Sequence, residues 1–189
     1  ECFEEALKFL SHLFHQPKPC GEIIVGSTEG IFNALEAAGR RYNRPLHFIA
    51  PVSAHLSLQK AFRYKNISTQ YIHWINVDSN YQPDFTKIIN LASRLEPCFI
   101  FMTAGTTDFG TIDPIRQIAE EVKGLDVWLH VDAASGGMIF PFLDETKYLT
   151  DFSIPNVCSL TVDIHKQGLA PLPCSFILFR DSEDMERLG

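Results

Sequence analysis

The chain has 189 residues, 46% of them hydrophobic, and a formal net charge of −7. That is enough apolar material for one substantial core, while the acidic balance argues against a nucleic-acid-binding face, which is normally basic. The five cysteines, Cys2, Cys20, Cys98, Cys158 and Cys174, are scattered without metal-ligand spacing, and no apolar run approaches the roughly 20 residues of a membrane helix, so a reduced, cytoplasmic protein without metal site or membrane span is expected.

In chain order, Phe3, Ala6, Leu7, Leu10 and Phe14 recur at helical spacing. A Pro-rich stretch, Gln16–Pro19, then separates this helix from the sheet-forming region, so 1–20 reads as an N-terminal helix and linker. Short apolar runs at Glu22–Gly26, Leu46–Ala50, Tyr71–Ile75, Cys98–Thr103 and Val127–Val131 have strand length. Between them lie amphipathic helical patterns: Ile31, Ala34, Leu35 and Ala38; Leu58, Ala61 and Phe62; Phe85, Ile88, Ile89, Ala92 and Leu95; Ile115, Ile118, Ala119 and Val122. Two last runs, Val157–Val162 and Phe176–Phe179, have no long helix between them and are expected to be adjacent and antiparallel. The pattern predicts one α/β domain over 1–189, a three-layer α/β/α arrangement around a mostly parallel sheet of about seven strands.

Ligands of such sheets gather beyond the carboxyl ends of the strands, and the polar motifs fall there. In GSTEG at 26–30, Gly26 permits close approach of the backbone, and Ser27 and Thr28 at a helix start can hold a phosphate; a plain helix cap is the alternative. In HVDAASGG at 130–137, Asp132 ends a strand, and the small residues after it leave room for a flat ring against which Ala134 can press. In DIHK at 163–166, Lys166 stands beside His165 in an otherwise uncharged stretch, which predicts a buried amine suited to imine formation. An acid for a pyridine nitrogen and an amine for an aldehyde are what pyridoxal 5'-phosphate asks of a protein.

His55, in SAHLS, is placed to stack on such a ring and to move protons, or else only to cap its helix. Thr106 and Thr107 in AGTTDFG offer hydroxyls to the ring oxygen, or form a solvated turn. Asp113-Pro114 reads as an ordinary helix cap. His12, His15, His47, His73 and His130 read as structural.

Four blocks, AHLSLQKA at 54–61, AGTTDFGTIDPI at 104–115, HVDAASGGMIFPFLD at 130–144 and DIHKQGLAPLPCSFILFRD at 163–181, resemble the pyridoxal-phosphate-dependent group II amino-acid decarboxylases, the archaeal tyrosine/aspartate branch most of all. The resemblance implies the large domain of fold-type I enzymes. It implies that Lys166 forms the Schiff base, Asp132 faces the pyridinium nitrogen, His55 stacks on the ring with Ala134 on its other face, and Thr107 lies on the phenolic oxygen side. Ser27, Thr28 and His165 would contact the phosphate. Asp163 before the His-Lys pair matches the archaeal branch, where animal aromatic decarboxylases carry Asn. The implied reaction converts an L-amino acid to its amine and carbon dioxide in a homodimer. Related alternatives are a carbon–carbon lyase of the sphingosine-phosphate type and a non-catalytic fragment that keeps the fold. The resemblance further implies that the chain, opening at Glu1 without Met, is part of a protein about twice as long with a C-terminal small domain.

Overall fold

The computed structural model describes residues 2–143 and 148–189. Glu1 and Asp144, the last residue of the third block, lie outside the described residues. The elements alternate as α1 (Cys2–Leu13), β1 (Gly21–Ile24), α2 (Ser27–Tyr42), β2 (His47–Pro51), α3 (Leu56–Tyr64), β3 (Ile72–Ile75), α4 (Phe85–Ala92), β4 (Cys98–Thr103), α5 (Ile115–Glu121) and β5 (Val127–Asp132). They end with β6 (Val157–Asp163), β7 (Ser175–Phe179) and a short α6 (Ser182–Glu186) that carries no readable periodicity.

One sheet runs in the order β1-β7-β6-β5-β4-β2-β3. The pairs β3·β2, β2·β4, β4·β5 and β5·β6 are parallel, whereas β7 runs antiparallel to both β6 and β1. The expected antiparallel final pair is therefore present, and β7 separates β1 from the parallel strands.

Side-chain alternation along buried strands sorts the core into two layers. Ile100, Met102, Leu129, Val131 and Leu160 pack with Leu10 and Phe14 of the N-terminal segment, Ile88 of α4 and Ile118 of α5. On the opposite face Phe99, Phe101, Trp128, Ile177 and Phe179 pack with Ile31 and Leu35 of α2 and Leu58 and Phe62 of α3. The stretch between α1 and β1 is tied to the sheet: buried Gln16 donates through Nε2 to the carbonyls of Cys20 and Phe179 and accepts from Ser11 Oγ.

Candidate active site

The register puts Thr103, Asp132 and Thr161 side by side on β4, β5 and β6. Beyond these strand ends lies a cavity of about 290 Å³, lined by Ser27, Thr28, His55, Thr107, Asp132, Ala134, His165 and Lys166. All eight candidate residues thus meet in one place, although they come from five separate loops.

Asp132 closes β5 and is 4% exposed. One carboxylate oxygen accepts the Ala134 amide at 3.0 Å, and the other takes no hydrogen bond among the described residues. Burial pushes its pKa above the ordinary carboxylate value, against the opposing pull of the Ala134 amide and Lys166. This carboxyl group therefore keeps a proton more readily than a solvated aspartate does.

Lys166 departs from its expected burial. Its side chain is 40% exposed and its Nζ lies 2.8 Å from Asp163 Oδ2. The uncharged stretch after it forms an open loop, with Leu169 and Leu172 in solvent, so that the amine is held by an ion pair instead of being desolvated. Asp163 is the residue whose importance the motif did not disclose. Its other oxygen accepts from the Ser27 amide at 2.9 Å, the Ser27 hydroxyl at 2.7 Å and the Ser175 hydroxyl at 2.7 Å. Its position offered one signal: like Asp132, it is an acid ending a parallel strand.

The Ser27 contacts alter the reading of the 26–30 turn. Both Ser27 donors are committed to Asp163, and Thr28 is left as the exposed hydroxyl at the start of α2. Gly30 explains how α2 comes so close to β6, because a Cβ there would sit 2.4 Å from Thr161 Cγ2. A Cβ on Gly26 would meet no protein atom within 4 Å, so packing does not demand glycine at that point of the cavity wall.

His55 is the N-cap of α3, its Nδ1 accepting from the Ser57 amide at 3.3 Å and lying 2.8 Å from Ser57 Oγ. Capping and cavity lining coexist in this residue: with Nδ1 as acceptor, the neutral ring carries its proton on Nε2. His165 is pinned to the start of β7, with Nδ1 accepting from the Cys174 amide at 3.2 Å.

The two threonines of AGTTDFG separate. Thr107 is exposed on the cavity wall, whereas buried Thr106 pairs with Thr111 Oγ1 at 2.8 Å and staples its own loop. Asp113 is not a helix cap. Pro114 occupies that position, and Asp113 turns inward to accept the Thr103 amide at 2.7 Å, leaving Oδ1 unpaired. Burial raises its pKa to about 7, opposed by the Thr103 amide and reinforced by Asp132. Of the structural histidines, His130 is fully buried 2.8 Å from Ser159 Oγ, His47 and His73 pair at 3.0 Å, and His15 meets Asp151 at 3.0 Å.

The pyridoxal-dependent decarboxylase conserved domain matches residues 24–188. The chain belongs to that family. A probable L-tyrosine/L-aspartate decarboxylase of Methanosphaera stadtmanae is 35% identical over 193 residues, covering 98% of this chain and 49% of the relative. A probable L-aspartate decarboxylase of Halobacterium salinarum is 32% identical, covering 98% of this chain and 50% of the relative. The chain spans about half the length of the curated relatives it matches. Among solved structures, the sphingosine-1-phosphate lyase of Burkholderia pseudomallei aligns with a TM-score of 0.87 at 27% identity, covering 98% of this chain and 46% of that one. This pyridoxal-dependent decarboxylase domain thus has a mostly parallel, seven-stranded α/β sheet and shares its fold with the Burkholderia lyase. No described helix is long and apolar enough to cross a membrane.

Proposed function

We propose that this chain is the cofactor-binding part of a cytoplasmic, homodimeric decarboxylase that converts an L-amino acid to its amine and carbon dioxide. The observation that carries the reading is the meeting of a buried carboxyl, Asp132, and a primary amine, Lys166, in one cavity of about 290 Å³. The pocket's chemistry fits a phosphorylated pyridine aldehyde. Asp132 has an oxygen without a hydrogen-bond partner among the described residues, the glycine at 26 leaves open room beside the start of α2, and Thr28 places an exposed hydroxyl at a helix N-terminus, where phosphate is favoured. Lys166 would bond the aldehyde carbon, Asp132 would face the ring nitrogen, and Thr107 the ring oxygen. His55 and Ala134 would flank the ring, while Thr28 and His165 would surround the phosphate, with Ser27 behind them on Asp163.

When bound, pyridoxal phosphate supplies an electron sink for the pair released as a carboxylate leaves its α-carbon. The chain's own contribution is to hold it and to manage protons. Asp132 would face the ring nitrogen and share its proton, and the small residues after it admit a flat ring. His55, fixed by Ser57, offers Nε2–H at the cavity. Val25 on the cavity wall is exposed, and so are Leu56 beside His55 and Leu169 and Leu172 in the loop after Lys166, apolar surface that a second subunit or another part of a longer protein would cover. All five cysteines are unpaired, which suits a reducing compartment.

The likeness to the Burkholderia lyase favours a second reading, cleavage of a phosphorylated long-chain amino alcohol. One assay separates the two. Release of carbon dioxide from L-tyrosine, L-aspartate or another amino acid, lost in Lys166→Ala, is the expected result. An aldehyde from the phosphorylated base with no carbon dioxide from any amino acid would overturn it.

A further inference from the structure

Asp163 receives four donors from three separate segments: the amide and hydroxyl of Ser27 at the start of α2, the hydroxyl of Ser175 at the start of β7, and Nζ of Lys166 in the turn after β6. Its side chain is 5% exposed. Burial alone would raise its pKa, but the hydrogen bonds from Lys166, Ser175 and Ser27 outweigh burial and hold it below the ordinary carboxylate value. The carboxylate is therefore ionised. Among the described residues, the remaining titratable groups around it are few: His165, whose Nε2 stands 4.0 Å from Oδ2, and Asp132 and His55 across the same cavity. None competes with Lys166 as a cationic partner at hydrogen-bond distance.

We propose that Asp163 is a positioning residue that couples the two halves of the site, holding the Lys166 amine on Oδ2 and fixing the start of α2 through one and the same carboxylate. Lys166 is then unreactive while it rests on Asp163 Oδ2, and it must leave that oxygen before it can bond an aldehyde. Asp163 keeps its Ser27 and Ser175 donors on Oδ1 throughout, so α2 stays anchored as the amine departs. Ser27 accordingly acts through Asp163, and Thr28 is the hydroxyl that faces an anion directly. The inference rests on the proposed function only in making Lys166 the amine that reacts.

The test compares wild type, Asp163→Asn and Asp163→Ala without cofactor. Acetic anhydride labels free amines, and peptide mass spectrometry reads Lys166 against the exposed Lys60 of α3. In Asp163→Asn an amide oxygen still accepts from Ser27 and Ser175 while the charge is gone. Lys166 is then expected to label about tenfold faster than in wild type, with the melting temperature close to that of the wild type. Asp163→Ala is expected to label fast as well and to melt several degrees lower, because the Ser27 and Ser175 donors lose their acceptor. Equal labelling of Lys166 in wild type and Asp163→Asn overturns the parking role, and an Asn variant as unstable as the Ala variant overturns the anchoring role. Since no cofactor is present, failure of the wild type to take up pyridoxal phosphate refutes the proposed function and leaves these outcomes readable.

Discussion

Three aspartates near the strand ends share a side-chain type and differ in environment. Asp132 is buried with one amide donor and its pKa is pushed up, Asp163 is buried with four donors and its pKa is held down, and Asp113 braces the Thr103 amide. Asp132→Asn preserves the Ala134 contact and removes the acid. Carbon dioxide release is expected to fall about a hundredfold or more, with pyridoxal phosphate still bound, as measured by steady-state rates and absorbance titration. Asp113 has a folded-state pKa of about 7 against an ordinary 3.8, so its stabilising influence is complete below the ordinary value and is lost as pH rises through 7. Asp113→Asn should therefore gain stability relative to wild type from about pH 4 upwards and level off above 7, a trend that melting curves across that range check. His130 has the opposite sign. Burial holds it at about 3 against 6.5, so stability is lost below pH 6.5 with a slope of up to about 1.4 kcal/mol per unit, and His130→Gln should flatten the acid limb of a urea-denaturation series. At this scale the sequence disclosed which residues converge, since strand-end acids and the lysine of DIHK are local motifs. It hid how each is held. The burial expected for Lys166 required the 167–173 loop to fold over it, the roles of Thr106 and Thr107 depended on which hydroxyl reached Thr111, and Asp113 turned inward to an amide ten positions back along the chain.

Among the elements, α2 and β6 carry the site. The close approach of α2 at Gly30 brings Ser27 within reach of Asp163, and the register of β4, β5 and β6 sets Asp132 between two threonines. Gly30→Ala would place a methyl 2.4 Å from Thr161 Cγ2. The expected cost is about 1 to 3 kcal/mol in urea denaturation, together with weaker pyridoxal phosphate binding as the α2 start shifts off Asp163. Strand and helix were legible because apolar runs of four to six residues alternate with 3.6-period faces, a local signal. The insertion of β7 between β1 and β6 was not legible. It is set by non-local pairing of Gly21–Ile24 with Ser175–Leu178, which no periodicity records, and α6 has only five residues to register a pattern.

Taken as a whole, the molecule closes its beginning onto its end. Phe14 of the segment after α1 is 2% exposed in the layer that includes Phe176 and Leu178, and Gln16 bonds the last residue of β7. Of the Pro-rich stretch Gln16–Pro19, Gln16 is buried against the sheet, while Pro17, Lys18 and Pro19 are exposed. Phe14→Ala should cost about 3 to 5 kcal/mol in chemical denaturation, with the cavity residues unaffected at low denaturant. The family resemblance covered most of the chain and proved correct, since the decarboxylase domain matches residues 24–188.

Whether Lys166 and Asp132 form a cofactor site is decided by a pyridoxal phosphate titration of the purified chain and of Lys166→Ala, followed by borohydride reduction and peptide mass mapping. A near-visible absorption band is expected in the wild type and absent in the variant, with the reduced adduct on Lys166. A folded wild-type chain that gives no band, or an adduct on another lysine, would contradict the assignment.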